Sequence, residues 1–174
     1  RAGRPVTLPA QTTSLQLWAR RLTEFAAAGG FEPQRAYWRS VVVTPPQALP
    51  RDFDGADPSL ERDSETITMR LGGDETRALL QRVPSAYDTR INDVLVTALR
   101  SALRAWLRGG SVVVDLEGHG REDLFEEVDL SRTVGWFTTV FPVRLDLSEA
   151  NPRDALRAVK ERLRATPQRG FGYG

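Results

Sequence analysis

The sequence predicts a mixed α/β, or α+β, two-layer sandwich, and three observations carry that prediction. Residues up to 44 show helical apolar periodicity, residues 45–63 show turn chemistry and no periodicity, and from residue 64 onward strand-like runs alternate with amphipathic helices. A content of 40% hydrophobic and 27% charged residues over 174 positions is that of a soluble globular chain with a core of its own.

Each element follows from local chemistry. Thr13-Ser14 precede Leu15, Trp18, Ala19, Leu22, Phe25 and Ala26, which recur at three- and four-residue steps as in a capped helix that stops at Gly29-Gly30. A short helix over about 33–42 begins at Pro33, where a first turn tolerates proline, and presents Tyr37 and Trp38. Pro45-Pro46, Pro50, Asp54-Gly55 and Asp57-Pro58 then mark a linker. Glu65–Leu71 places Ile67, Met69 and Leu71 on one face, as a half-buried strand does. Asp74 is read as the cap of a helix ended by Pro84. In a longer helix over about 88–107, Ile91, Val94, Leu95, Ala98, Leu99, Ala102, Leu103 and Trp106 follow the helical period, and this apolar face is expected to lie along a sheet. Gly109-Gly110 close it, and Ser111–Leu116 is a β-branched strand. An aromatic strand is expected over Gly135–Leu145, with Trp136, Thr138, Val140 and Pro142 on one side and Phe137, Thr139, Phe141 and Val143 on the other. A last helix covers about 152–165.

The charge balance, +1, argues against a dedicated nucleic-acid surface. No apolar run approaches the roughly 20 residues of a membrane-spanning helix, and no targeting segment is seen, so membrane partners are not expected. The absence of cysteine excludes thiol nucleophiles and cysteine-ligated metals and suits a reducing compartment. A single histidine, His119, excludes a multi-histidine metal centre, so no metal is expected.

The chemistry concentrates in Glu117-Gly118-His119-Gly120-Arg121-Glu122, directly after the β-branched strand. Two carboxylates, an imidazole and a guanidinium within six residues can supply a base, an acid and an anion stabiliser. The alternative is a surface turn whose charges are solvated or mutually paired. His119 suits proton transfer near neutral pH or a structural hydrogen bond, Arg121 suits a bidentate grip on a carboxylate or a solvated position, and Trp136 and Thr138 suit a substrate channel or core.

Together, the run Glu117–Glu122, the run Arg132–Thr138 (Arg-Thr-Val-Gly-Trp-Phe-Thr), the ending Pro167–Gly174 and the earlier Ile91–Leu95 resemble, in order and spacing, motifs of the epimerization domains of nonribosomal peptide synthetases. The resemblance implies a lobe of a chloramphenicol acetyltransferase-like fold shared with condensation domains. Residues 1–44 would be trailing helices of a first lobe, 45–63 a linker, and 64–174 most of the second lobe. It implies a substrate thioester presented on the 4'-phosphopantetheine of a peptidyl carrier protein within a multidomain, cytoplasmic synthetase, with no cofactor of the domain's own. The α-carbon would pass from L to D. Glu117 matches the family's catalytic glutamate and Arg121 the arginine of the same motif, with His119 between them. The family's HHxxxDG motif cannot occur in a chain with one histidine, and an FNYLG-like strand beyond the glycine-rich ending is also missing, so the sequence reads as a fragment, doubtfully active by itself. Two other readings stand: a condensation or acyltransferase domain of the same fold, and a non-catalytic fragment that docks a carrier protein. Arg153, Arg157 and Arg164 on the last helix suit either an acidic carrier or solvent.

Overall fold

The computed structural model describes residues 8–45, 47–52, 60–107 and 109–173. The opening Arg1–Pro5, Pro46, the turn pairs Asp54-Gly55 and Asp57-Pro58, and Gly174 lie outside the described residues.

Helix α1 (Leu15–Ala27) starts as its cap chemistry demands: the Ser14 hydroxyl accepts from the Leu17 N–H at 3.1 Å. Gly29, at φ +79°, takes the left-handed turn that follows. A 3₁₀ turn (Glu32–Gln34) containing Pro33 leads into α2 (Arg35–Val42). Helix α6 (Pro152–Ala165) has the bounds expected for the last helix and buries Ala155, Leu156 and Val159. Strand β1 (Ser111–Gly118) continues two residues beyond the expected Leu116, so Glu117 lies within it, and β2 covers Thr139–Asp146. The two strands pair side by side. The Gly110 carbonyl accepts from the Leu147 N–H before β1, and Gly118 at its far end adjoins Thr139, so they run antiparallel. The result is the mixed helix-and-sheet architecture that the sequence predicts. Among the described residues, no helix is long and apolar enough to cross a membrane.

Five expectations are corrected. Glu65–Leu71 forms no strand, and Ile67 and Met69 are 87% and 91% exposed. Alternation prepares a segment for a sheet, but an extended segment without a hydrogen-bonding neighbour is not a strand. Pro84 does not end its helix. Helix α3 (Gly73–Arg77) passes through a π-helical turn (Ala78–Arg82) into α4 (Val83–Tyr87), and Pro84 sits inside α4. The wide turn relieves the clash a proline ring makes with the carbonyl four residues back. At its start Gly72, not Asp74, is the cap, with its N–H donating to Glu75 at 2.8 Å. Helix α5 (Ile91–Leu107) is rotated from the expected face: Asp93, Val96, Thr97, Arg100 and Leu107 are buried, Ile91, Val94 and Leu103 are half-buried, and Leu95, Leu99 and Trp106 are exposed. The polar groups on the buried face have partners there. Asp93 accepts from the Arg90 N–H at 2.7 Å, and Arg100 Nε donates to the Asp146 carbonyl at 2.6 Å. Finally, residues 135–138 of the expected aromatic strand are irregular, because regular pairing starts only at Thr139.

Contacts gather the chain into two compact units. One comprises Arg1–Thr44, Asp115–Pro142 and Thr166–Gly174; the other comprises Pro45–Val114 and Val143–Ala165. Thr44 closes a segment of the first unit, and the motif loop and the glycine-rich ending gather with these early helices. Aromatic side chains explain the grouping. Trp18 lies between Phe125 and Phe171 with ring centroids 5.6 and 5.7 Å away, Phe25 meets Phe31 and Phe125, and Trp38 meets Tyr173 at 5.2 Å. Edge-on pairs of this kind add roughly 0.5–1.5 kcal/mol each beyond the area they bury. In the second unit α5 packs against α6.

Candidate active site

Glu117 is the penultimate residue of β1, and its side chain is exposed. Its carboxylate takes no hydrogen bond or ion pair among the described residues. The apolar screening expected around it is not built here. Gly118 follows for a steric reason: a Cβ there would lie 2.7 Å from Thr139 Oγ1 and 3.5 Å from the Arg169 carbonyl oxygen. Gly120 is still more constrained. Its φ is +65°, and a Cβ would stand 1.5 Å from the Phe137 carbonyl oxygen, so only glycine fits.

Between and after these glycines the side chains of His119, Arg121 and Glu122 are engaged. His119 Nδ1 accepts from the Arg121 N–H at 3.0 Å, which leaves the proton of a neutral ring on Nε2, 3.3 Å from Glu122 Oε1. The other Glu122 oxygen lies 3.6 Å from Arg169 Nη1. Arg121 donates to the carbonyls of Leu130 at 2.6 Å and Thr133 at 2.9 Å, and its guanidinium lies 4.1 Å over the Phe137 ring. The fork expected to grip a carboxylate grips backbone instead. Arg121 therefore fastens the Arg132–Thr138 motif to the Glu117–Glu122 motif, two segments that the sequence places side by side without showing the bond between them. Thr13 completes the anchorage: its N–H donates to the Asp129 carbonyl and its hydroxyl accepts from the Asp129 N–H, both at 3.0 Å.

Burial alternates from Trp136 to Phe141, despite the irregular start, and the alternation then fails at Pro142, which is buried between Phe141 and Val143 where β2 enters the core on both faces. Phe137 and Phe141 are buried, whereas Trp136, at 89% exposure, and Thr138 and Val140 face outward. Trp136 and Thr138 are thus not core.

The glycine-rich ending supplies what the sequence reading missed. Gln168 (φ 42°, ψ 36°) and Arg169 (φ 52°, ψ 40°) are both left-handed, followed by Gly170 at φ +89°. Such non-glycine positions cost of order 1–3 kcal/mol each and persist only where the surroundings hold them. The buried Gln34 amide donates to Gln168 Oε1 at 2.7 Å while its oxygen accepts from Trp38 Nε1 at 3.1 Å. A long-range bond of this kind leaves no local signal in the sequence.

The model of the condensation-domain family matches residues 1–174. The chain belongs to the condensation-domain family. One of the linear gramicidin synthase polypeptides of Brevibacillus parabrevis is 47% identical over 174 residues, covering 99% of this chain and 3% of that protein. This condensation-family domain is of the type found in nonribosomal peptide synthetases, and it spans a small part of the synthetases it matches. The epimerization domain from the third module of tyrocidine synthetase B superposes with a TM-score of 0.87 at 38% identity, over 98% of this chain and 38% of that one. The condensation domain of a Monacolin K polyketide synthase, at 20% identity and a TM-score of 0.72 over 97% of this chain and 40% of that one, shares the fold.

Proposed function

We propose that this chain is part of an epimerization domain that inverts the α-carbon of an aminoacyl or peptidyl thioester held on the 4'-phosphopantetheine of a carrier protein, in a cytoplasmic synthetase that makes an antibiotic-type peptide. The observation that carries the reading is Glu117: a carboxylate at the end of β1 with no partner among the described residues, beside a loop whose His119, Arg121 and Glu122 side chains are engaged elsewhere. The likeness to the tyrocidine epimerization domain supports it.

The chemistry fits one unengaged carboxylate. A hydrogen beside a thioester carbonyl is a weak acid, and its removal moves the C–H electron pair into an enolate while Glu117 takes the proton. Inversion requires a proton returned to the opposite face from a second carrier, which by family resemblance is a histidine of the HHxxxDG motif absent from this chain. His119 and Arg121 serve by holding the loop. Gly118 and Gly120 keep the backbone free of side chains on either side of His119. The shared fold leaves condensation as the rival activity.

One comparison separates the two. The intact protein, given a carrier loaded with a single L-aminoacyl thioester in deuterium oxide, is expected to place deuterium at the α-carbon and yield a mixture of L and D. Peptide-bond formation with a second loaded carrier, and no α-deuterium, would make it a condensation catalyst.

A further inference from the structure

The strained Gln168-Arg169 corner adjoins the strand that presents Glu117. The Arg169 carbonyl is near the position a Gly118 Cβ would take, and Gly170 is seated on Phe141 so closely that a Cβ would fall 1.9 Å from the ring. The corner is held from two sides. Gln34, buried at the start of α2, fixes Gln168 through its amide. Glu122, with its side chain only 19% exposed, spans His119 on one oxygen and Arg169 on the other. A carboxylate that bridges two separate segments fixes their spacing, and a left-handed pair of non-glycine residues relaxes once its restraints go.

We infer that Glu122 and Arg169 are positioning residues, a brace that presses the Gln168-Arg169 corner against Gly118 and so fixes the backbone from which Glu117 reaches the substrate. The inference rests on the proposed role of Glu117. Neither brace residue touches the reacting atoms; they act by keeping the Glu117 carboxylate in register with the α-hydrogen, where a displacement of about 1 Å can cost about 100-fold in rate. Because the two side chains form one unit, removing either should cost nearly as much as removing both.

The test is α-deuterium incorporation into a carrier-bound aminoacyl thioester by the intact protein, with thermal unfolding measured in parallel. The variants are E122Q, R169Q, the double E122Q/R169Q, R169K and E117Q. E122Q and R169Q should each lower turnover about 10- to 100-fold, with the half-saturating carrier concentration unchanged. The double variant should be no worse than the poorer single, and R169K should recover most of the rate. Wild-type turnover in both singles, losses that multiply in the double, or turnover that falls only in step with the folded fraction would overturn the brace. E117Q separates this from the functional reading: a lost rate in E117Q beside unchanged rates in E122Q and R169Q overturns the brace alone, whereas a wild-type rate in E117Q overturns the role of Glu117 and the brace with it.

Discussion

Two corners of this molecule place non-glycine residues in left-handed backbone, and they are held in different ways. Asp88, at φ 48°, turns the chain between α4 and α5 in the second unit, and its carboxylate accepts from Lys160 at 3.1 Å and Arg164 at 3.2 Å in the open. Those cations hold its carboxyl below the ordinary carboxylate range, Lys160 first and Arg164 next. Gln168-Arg169, in the first unit, puts two such residues in succession before a glycine and relies on the buried Gln34 and the largely shielded Glu122. Aspartate enters this region easily because its short polar side chain bonds locally, whereas glutamine and arginine have no such help. One left-handed aspartate makes an inexpensive joint between helices. Two left-handed residues held by buried groups mark a place where backbone position matters, and that place is the end of the strand bearing Glu117.

The comparison can be broken first at the tighter corner. Gly170→Ala adds a methyl against the Phe141 ring and forces alanine to φ +89°, so it should destabilise the protein by about 2–4 kcal/mol in chemical denaturation. A change below about 0.5 kcal/mol would show that this corner is as tolerant as the one at Asp88.

The smallest effect is expected at Asp88 and is read from its pH dependence. The folded-state carboxyl is depressed, so its contribution is present above the unfolded value and lost as pH falls through the folded one. Asp88→Asn keeps a side chain that tolerates the left-handed region and removes the charge. The variant should unfold slightly more easily than wild type at pH 7, and the two should converge in strong acid. A gap that persists in acid would assign the difference to backbone geometry in place of the ion pairs.

Local signals were legible where a single element settles them. Ser14 and Gly29 bound α1, α6 has the expected bounds, and the β-branched run over 112–114 gives β1. Features decided by distant partners were not. Ile67, Met69 and Leu71 alternate correctly without a neighbouring strand, the apolar stripe of α5 loses to a polar face that finds hydrogen bonds, and a π turn absorbs Pro84. The candidate site divides the same way. Glu117 stands out as a carboxylate ending an apolar strand, but Arg121 reads as a substrate ligand until Leu130 and Thr133 claim its fork, and the bonds to Gln34 and Glu122 join residues more than 40 positions apart.

The central claim is that Glu117 moves the α-proton, and the Glu117→Gln substitution tests it most directly because the residue is exposed and has no partner among the described residues, so glutamine removes basicity with little structural cost. The measurement is solvent deuterium incorporation into the carrier-bound residue by the intact protein, started separately from the L and D thioesters. Loss of a general base typically lowers such a rate about 100- to 10,000-fold. The loss should be larger from one enantiomer than from the other if Glu117 serves one face, with carrier affinity unchanged. Wild-type incorporation from both enantiomers would contradict the assignment and leave the Glu117–Glu122 loop a structural turn.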